Sequence, residues 1–188
     1  MPRDPRNEDH KSKPAFVPVF IYFVYGDVFC YYCYIESGAN MNKKFLDMAI
    51  AESEKSVKLG SSPFGAVIVR DGVVIARAHN TVVPKCDPTA HAEVNAIRAA
   101  CKKLGTVDLS GCDLYSSCEP CPMCAAAATW ANISHVYYAA DRKDAGKIGF
   151  RDDCMYNNTC LVPEKHIENK DATAVMKWWH KLKSRKKY

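Results

Sequence analysis

The chain has 188 residues, room for one ordinary domain, and its 48% hydrophobic and 25% charged content excludes wholesale disorder and fibrous repeats. Ten cysteines are too sparse for a disulfide-built miniprotein. A net charge of +5 is too mild to declare nucleic-acid binding by itself.

Taken in chain order, the first forty residues stand apart: four of seven phenylalanines and five of ten tyrosines precede Met41. The stretch 15–35 is long and apolar enough for a membrane anchor, but Pro18, Gly26, Asp27 and its tyrosines weigh against a span. An acidic n-region and the lack of an A-x-A-like site also weigh against a signal peptide. The reading adopted is that residues 1–40 are an extension foreign to the fold, upstream of a start at Met41, and that 41–188 form one domain.

Residues Asn42 to Leu59 have apolar groups at helical spacing and stop at Gly60. Two β-branched runs, 64–69 and 73–78, flank Asp71-Gly72, the pattern of a hairpin. A loop follows from Asn80 to Asp87. Asp87 as cap and Pro88 at the first position predict a helix running to Gly105. A strand over 113–117, a helix rich in small residues over 122–131, a strand over 135–140 and a last helix from Ala172 to about Lys183 complete the pattern. Trp130 reads as core beneath the helix over 122–131. Strands alternating with helices imply a three-layer α/β/α arrangement, and the hairpin makes its sheet mixed.

Two stretches carry chemistry. Cys118, Cys121 and Cys124 crowd the start of the 122–131 helix, where N–H groups and the helix dipole stabilise the thiolates a metal needs. Spacing alone leaves open which two are used. His91-Ala92-Glu93 supplies an imidazole and a carboxylate in a first helical turn, from which both reach a pocket at the helix end. Three protein ligands leave the fourth position of Zn²⁺ open for water, the mark of a catalytic site. Two thiolates offset the ion's charge, so a nearby carboxylate must take the water's proton and pass it to a leaving amine.

The signature H-x-E…P-C-x-x-C is that of zinc nucleobase deaminases. Over residues 41–188 the chain resembles the cytidine and deoxycytidylate deaminase superfamily, and within it the small guanine deaminases of bacterial type. The likeness rests on residues 63–69, 87–94 and 117–124, Gly149-Phe150 with the following Arg-Asp-Asp, and the ending Lys-Lys-Tyr. The resemblance implies a cytidine-deaminase-like fold with a central sheet of roughly five strands. It implies one Zn²⁺ held by His91, Cys121 and Cys124, with Glu93 as proton shuttle. It further places Asn80 on the base, Asp152 (or, by a one-residue slip, Asp153) near the departing amino group, Phe150 as an apolar wall and Tyr188 as the closing residue. The expected reaction is attack of zinc-bound water on C2 of guanine, giving xanthine and ammonia, in a cytoplasmic homodimer with exchanged C-terminal segments. The alternatives are a tRNA-adenosine deaminase, with six cations between Lys177 and Lys187 as phosphate contacts, or an enzyme acting on guanosine, cytosine or deoxycytidylate.

Overall fold

A computed structural model describes residues 43–157, 159, 162, 165–166 and 170–184. The first element is helix α1 (Lys43–Lys58), followed by strands β1 (Gly65–Arg70) and β2 (Val73–His79) and the short helix α2 (Val82–Lys85). Helix α3 (Ala92–Leu104), strand β3 (Cys112–Cys118), helix α4 (Pro122–Trp130) and strand β4 (His135–Ala140) complete the centre, and α5 (Arg142–Lys147), α6 (Asp152–Tyr156) and α7 (Lys170–Lys181) follow.

The hairpin forms where expected. Asp71 and Gly72 both take positive φ, 51° and 73°, the pair of left-handed residues that a two-residue turn needs to match strand twist. The strand order is β2-β1-β3-β4, with β1 antiparallel to both β2 and β3, and β3 parallel to β4. Alternation sorts β1 between two cores: Val67 and Val69 pack with Phe45, Leu46 and Ala49 of α1 and with Tyr115. Ala66 and Ile68 face the opposite side, with Ala92, Ala96, Ile97 and Ala100 of α3 and Ala128 of α4. Helices therefore cover both faces of a mixed sheet, the three-layer arrangement expected.

Three expectations need correction. Among the described residues the sheet has four strands, not roughly five. The chain beyond β4 turns into α5, because Asp141 accepts from the amides of Lys143 and Asp144 while Asp144 accepts from the amide of Asp141, a reciprocal capping box. Helix α3 begins at Ala92 rather than Pro88, because Asp87 Oδ1 takes the amide and hydroxyl of Thr89 and closes a local turn. Trp130 is 65% exposed, not core, because α4 buries Cys124 and Ala128 on its inner side.

Gly65 is where α1 lies against β1. A Cβ there would overlap the carbonyl of Ala49 and the amide of Ser53, both backbone atoms that cannot swing aside. Gly65→Ala is expected to cost about 3 kcal/mol or more, read as a lower urea midpoint with an unchanged denaturant slope.

Candidate active site

His91 and Cys121 occupy the positions immediately before α3 and α4, both with extended backbone (φ −65°, ψ 157° and φ −63°, ψ 166°). Each side chain thus lies at the positive end of a helix, and Pro122 at the first position of α4 sacrifices no hydrogen bond. Cys124 follows one turn into α4 and is fully buried. His91 Nδ1 lies 3.6 Å from Cys121 Sγ and 3.5 Å from Cys124 Sγ, and the two sulfurs are 3.6 Å apart. A tetrahedral ion with bonds of about 2.3 Å to sulfur and about 2.0 Å to nitrogen demands separations of about 3.8 Å between sulfurs and about 3.5 Å from nitrogen to sulfur. The donor set fits zinc without rearrangement. Cys118, which spacing left in contention, is turned away: its thiol donates to the carbonyl of Asp141 at 3.5 Å, and burial pushes its pKa up to about 11.

The two ligand sulfurs behave as a unit. The hydrogen bond with Cys124, helped by His91, holds Cys121 down to about 4, and Cys124, hydrogen-bonded to that sulfur and buried, is pushed up. Sharing one proton between the two sulfurs is easier than losing both.

Glu93 stands in the first turn of α3, 5% exposed. His91 precedes the helix and Glu93 belongs to it, which is how two residues so near in sequence converge on one point. The Glu93 carboxylate accepts from Ser116 Oγ at 3.2 Å and from Cys124 Sγ at 3.5 Å. Burial, first of all, raises its pKa, and the neighbouring Cys121 charge adds to this.

The remaining predicted residues fall as follows. Asn80 follows the end of β2, 2% exposed, one residue before Thr81, whose amide donates to the carbonyl of Ala90 beside His91. Phe150 meets Phe64 edge to face, ring centroids 4.8 Å apart. Asp152 opens α6 half-buried, its pKa raised by burial and then by Cys121, whereas Asp153 is exposed and lies 3.7 Å from Arg142. Helix α6 is only five residues long and is fixed from outside: Tyr156 donates to the carbonyl of Pro120 at 2.6 Å, and Met155 packs on Val94, Cys121 and Cys124. Tyr188 lies outside the described residues. Sequence reading missed Ser116, Tyr156, and Asn95, whose amide nitrogen bonds His79 O, Thr81 Oγ1 and Ala90 O. No local motif marks these three.

Residues 39–140 match the cytidine and deoxycytidylate deaminase zinc-binding region. The chain belongs to this family. Guanine deaminase of Bacillus subtilis (strain 168) is 41% identical over 154 residues, covering 78% of this chain and 99% of that protein. Its X-ray structure superposes with a TM-score of 0.74 over 78% of this chain and 98% of the other. The tRNA-specific adenosine deaminase of Aquifex aeolicus (strain VF5) is 44% identical over 105 residues, 55% of this chain and 70% of that protein. The tRNA-specific adenosine deaminase of Bacillus subtilis (strain 168) is 34% identical over 147 residues, 76% of this chain and 91% of that protein. His91, Cys121 and Cys124 are the zinc site of a deaminase family member, one ion per chain, and the protein is a zinc-dependent aminohydrolase homologous to guanine deaminase.

Proposed function

We propose that the protein hydrolyses guanine to xanthine and ammonia. One comparison carries this reading: over nearly equal spans, identity to the guanine deaminase of Bacillus subtilis exceeds identity to the tRNA-specific enzyme of the same species. The higher identity to the Aquifex enzyme covers a shorter stretch.

When bound, zinc supplies the Lewis acidity that makes a water nucleophilic at neutral pH. His91, Cys121 and Cys124 hold it. Glu93 takes the proton lost by the nucleophile and delivers it to the ring nitrogen beside C2. It then takes the proton of the hydroxyl added at C2, as the carbonyl forms, and passes it to the amino group, which leaves as ammonia. Its burial, which raises its pKa, makes proton uptake easier. Asn80 holds the base through a ring acceptor, Phe64 and Phe150 give it an apolar wall, and Asp152, rather than the exposed Asp153, accepts from the amino group. Tyr188 closes the pocket.

The deaminase domain is taken as 41–188, in accord with a family match beginning at residue 39. A homodimer with exchanged C-terminal segments gives a partner to α7, where Val175, Met176, Trp178 and Trp179 are exposed. Among the described residues no helix is long and apolar enough to cross a membrane, and the stretch 15–35 lies outside them. A thiolate site suits the cytoplasm, a reducing compartment.

Ammonia release from guanine and from an anticodon stem-loop tests the reading directly. Turnover of guanine with an inert stem-loop is expected. A deaminated stem-loop with inert guanine would overturn it.

A further inference from the structure

Asn80 is pinned at every polar atom but one. Its amide donates to Phe64 O at 3.0 Å, and its carbonyl accepts from the fully buried Ser56 hydroxyl at 3.1 Å. Its side-chain Oδ1 accepts twice, from the Val82 amide at 3.0 Å and the Ser61 hydroxyl at 2.9 Å. Val82 N–H can only donate, so the atom facing it must be the oxygen. The Nδ2 amino group therefore points the other way, and it donates to no other group among the described residues. With Oδ1 held by two protein donors, this NH₂ is the group left to meet a ligand acceptor.

The two bonds to Oδ1 do different things. The torsion about the carboxamide is broad, so a single acceptor contact leaves the amide plane free to rock. The Val82 bond is local, two residues away, and sets which end faces in. The Ser61 bond comes from nineteen residues away, at the turn after α1, and occupies the second lone pair. That turn is itself anchored: Ser61 N donates to Ser56 O at 3.0 Å, and Ser56 Oγ bridges Ser62 O and Asn80 O.

We infer that Ser61 is a specificity-determining positioning residue, locking the Asn80 carboxamide so that its NH₂ meets a hydrogen-bond acceptor on the substrate's ring edge. This rests on the reading of Asn80 as the residue that holds the base. Ser61 touches no substrate itself. It acts by presenting a pre-oriented donor, which favours bases that turn a carbonyl oxygen or an unprotonated ring nitrogen toward Asn80 over those that turn an N–H.

The test is steady-state kinetics with guanine on the zinc-loaded full chain, comparing wild type, Ser61→Ala, Ser61→Thr, Asn80→Ala and the double variant Ser61→Ala/Asn80→Ala. Losing one buried orienting hydrogen bond is expected to raise KM about tenfold in Ser61→Ala, with kcat within about twofold. Ser61→Thr, which keeps the hydroxyl, returns KM to near wild type, and on the Asn80→Ala background the Ser61 change adds nothing. An unchanged KM in Ser61→Ala overturns the inference, as does equal impairment of Ser61→Thr, or a full KM rise on the Asn80→Ala background. If wild type leaves guanine intact, the guanine assignment fails instead, and the same variants are read on the base or nucleoside that wild type does deaminate.

Discussion

Replacing Glu93 by Gln is expected to lower kcat by at least about a thousandfold while leaving one zinc per chain. Glutamine has nearly the same shape and keeps an oxygen for the Ser116 hydroxyl, 3.2 Å away in the native protein. Its contact with the ligand set is Cys124 Sγ, 3.5 Å from the native carboxylate, while the nitrogen–sulfur and sulfur–sulfur separations are fixed by the starts of α3 and α4. What it loses is the ability to take up a proton. Because burial raises the Glu93 pKa, the folded protein disfavours the charge that Gln removes. The thermal midpoint should accordingly hold or rise slightly, the usual relation between a strained catalytic group and stability. Three readouts together make the test sharp: ammonia release, zinc content by mass spectrometry, and thermal melting. Retained turnover with zinc bound would show that the proton moves through another group, and the Glu93 assignment would fall.

The features that were legible in the sequence are those that local spacing encodes. Asp71-Gly72 dictates its own turn, and the two runs that flank it carry their β-branched residues together. The zinc constellation is readable because the ligands and the carboxylate beside them stand at short, fixed offsets, Cys121 with Cys124 and His91 with Glu93. Helix α3 starts later than the Asp-Pro pair implies, for a physical reason. Asp87 followed by Pro88 has the chemistry of a helix cap, but the Asp87 carboxylate closed a turn on Thr89 instead, which left His91 extended and free to face the sulfurs. The exposure of Trp130 is not legible in the sequence because α4 is alanine-rich all round, so apolar periodicity does not say which side is inward. That choice is made by Cys124 and Ala128 seating against α3 and the sheet. The residues that orient the catalytic groups were not legible at all. Ser61 reaches Asn80 across nineteen residues and Ser116 reaches Glu93 across twenty-three, and a hydrogen bond between distant segments leaves no trace in either segment alone.

Cys124→Ala is expected to abolish both zinc binding and turnover, in contrast to Glu93→Gln, which should abolish turnover alone. Cys124 is fully buried between Cys121, His91 and Glu93, so nothing from solvent can replace its sulfur with matching geometry. Zinc content should fall below about a tenth of an equivalent, because two remaining ligands cannot close a tetrahedral site. Stability should fall with it. An ion present at about a thousand times its dissociation constant stabilises the folded state by about 4 kcal/mol, and a domain of this size changes its Tm by about 2–4 °C per kcal/mol. A loss of about 10 °C follows. A strong chelator should reproduce both losses in the wild type, and added Zn²⁺ should reverse them there but not in Cys124→Ala. The recovery should also depend on pH with a definite sign. In the metal-free pair the two sulfurs shift in opposite directions, Cys121 down and Cys124 up, so one proton stays shared between them. Zinc must displace that proton to bind both sulfurs as thiolates, so its apparent affinity rises with pH, by about tenfold per unit for one proton released. Zinc reloading followed by competition with a colorimetric chelator at several pH values measures this slope. A flat profile would mean that both sulfurs are already deprotonated without metal. A normal zinc content in Cys124→Ala would remove Cys124 from the ligand set.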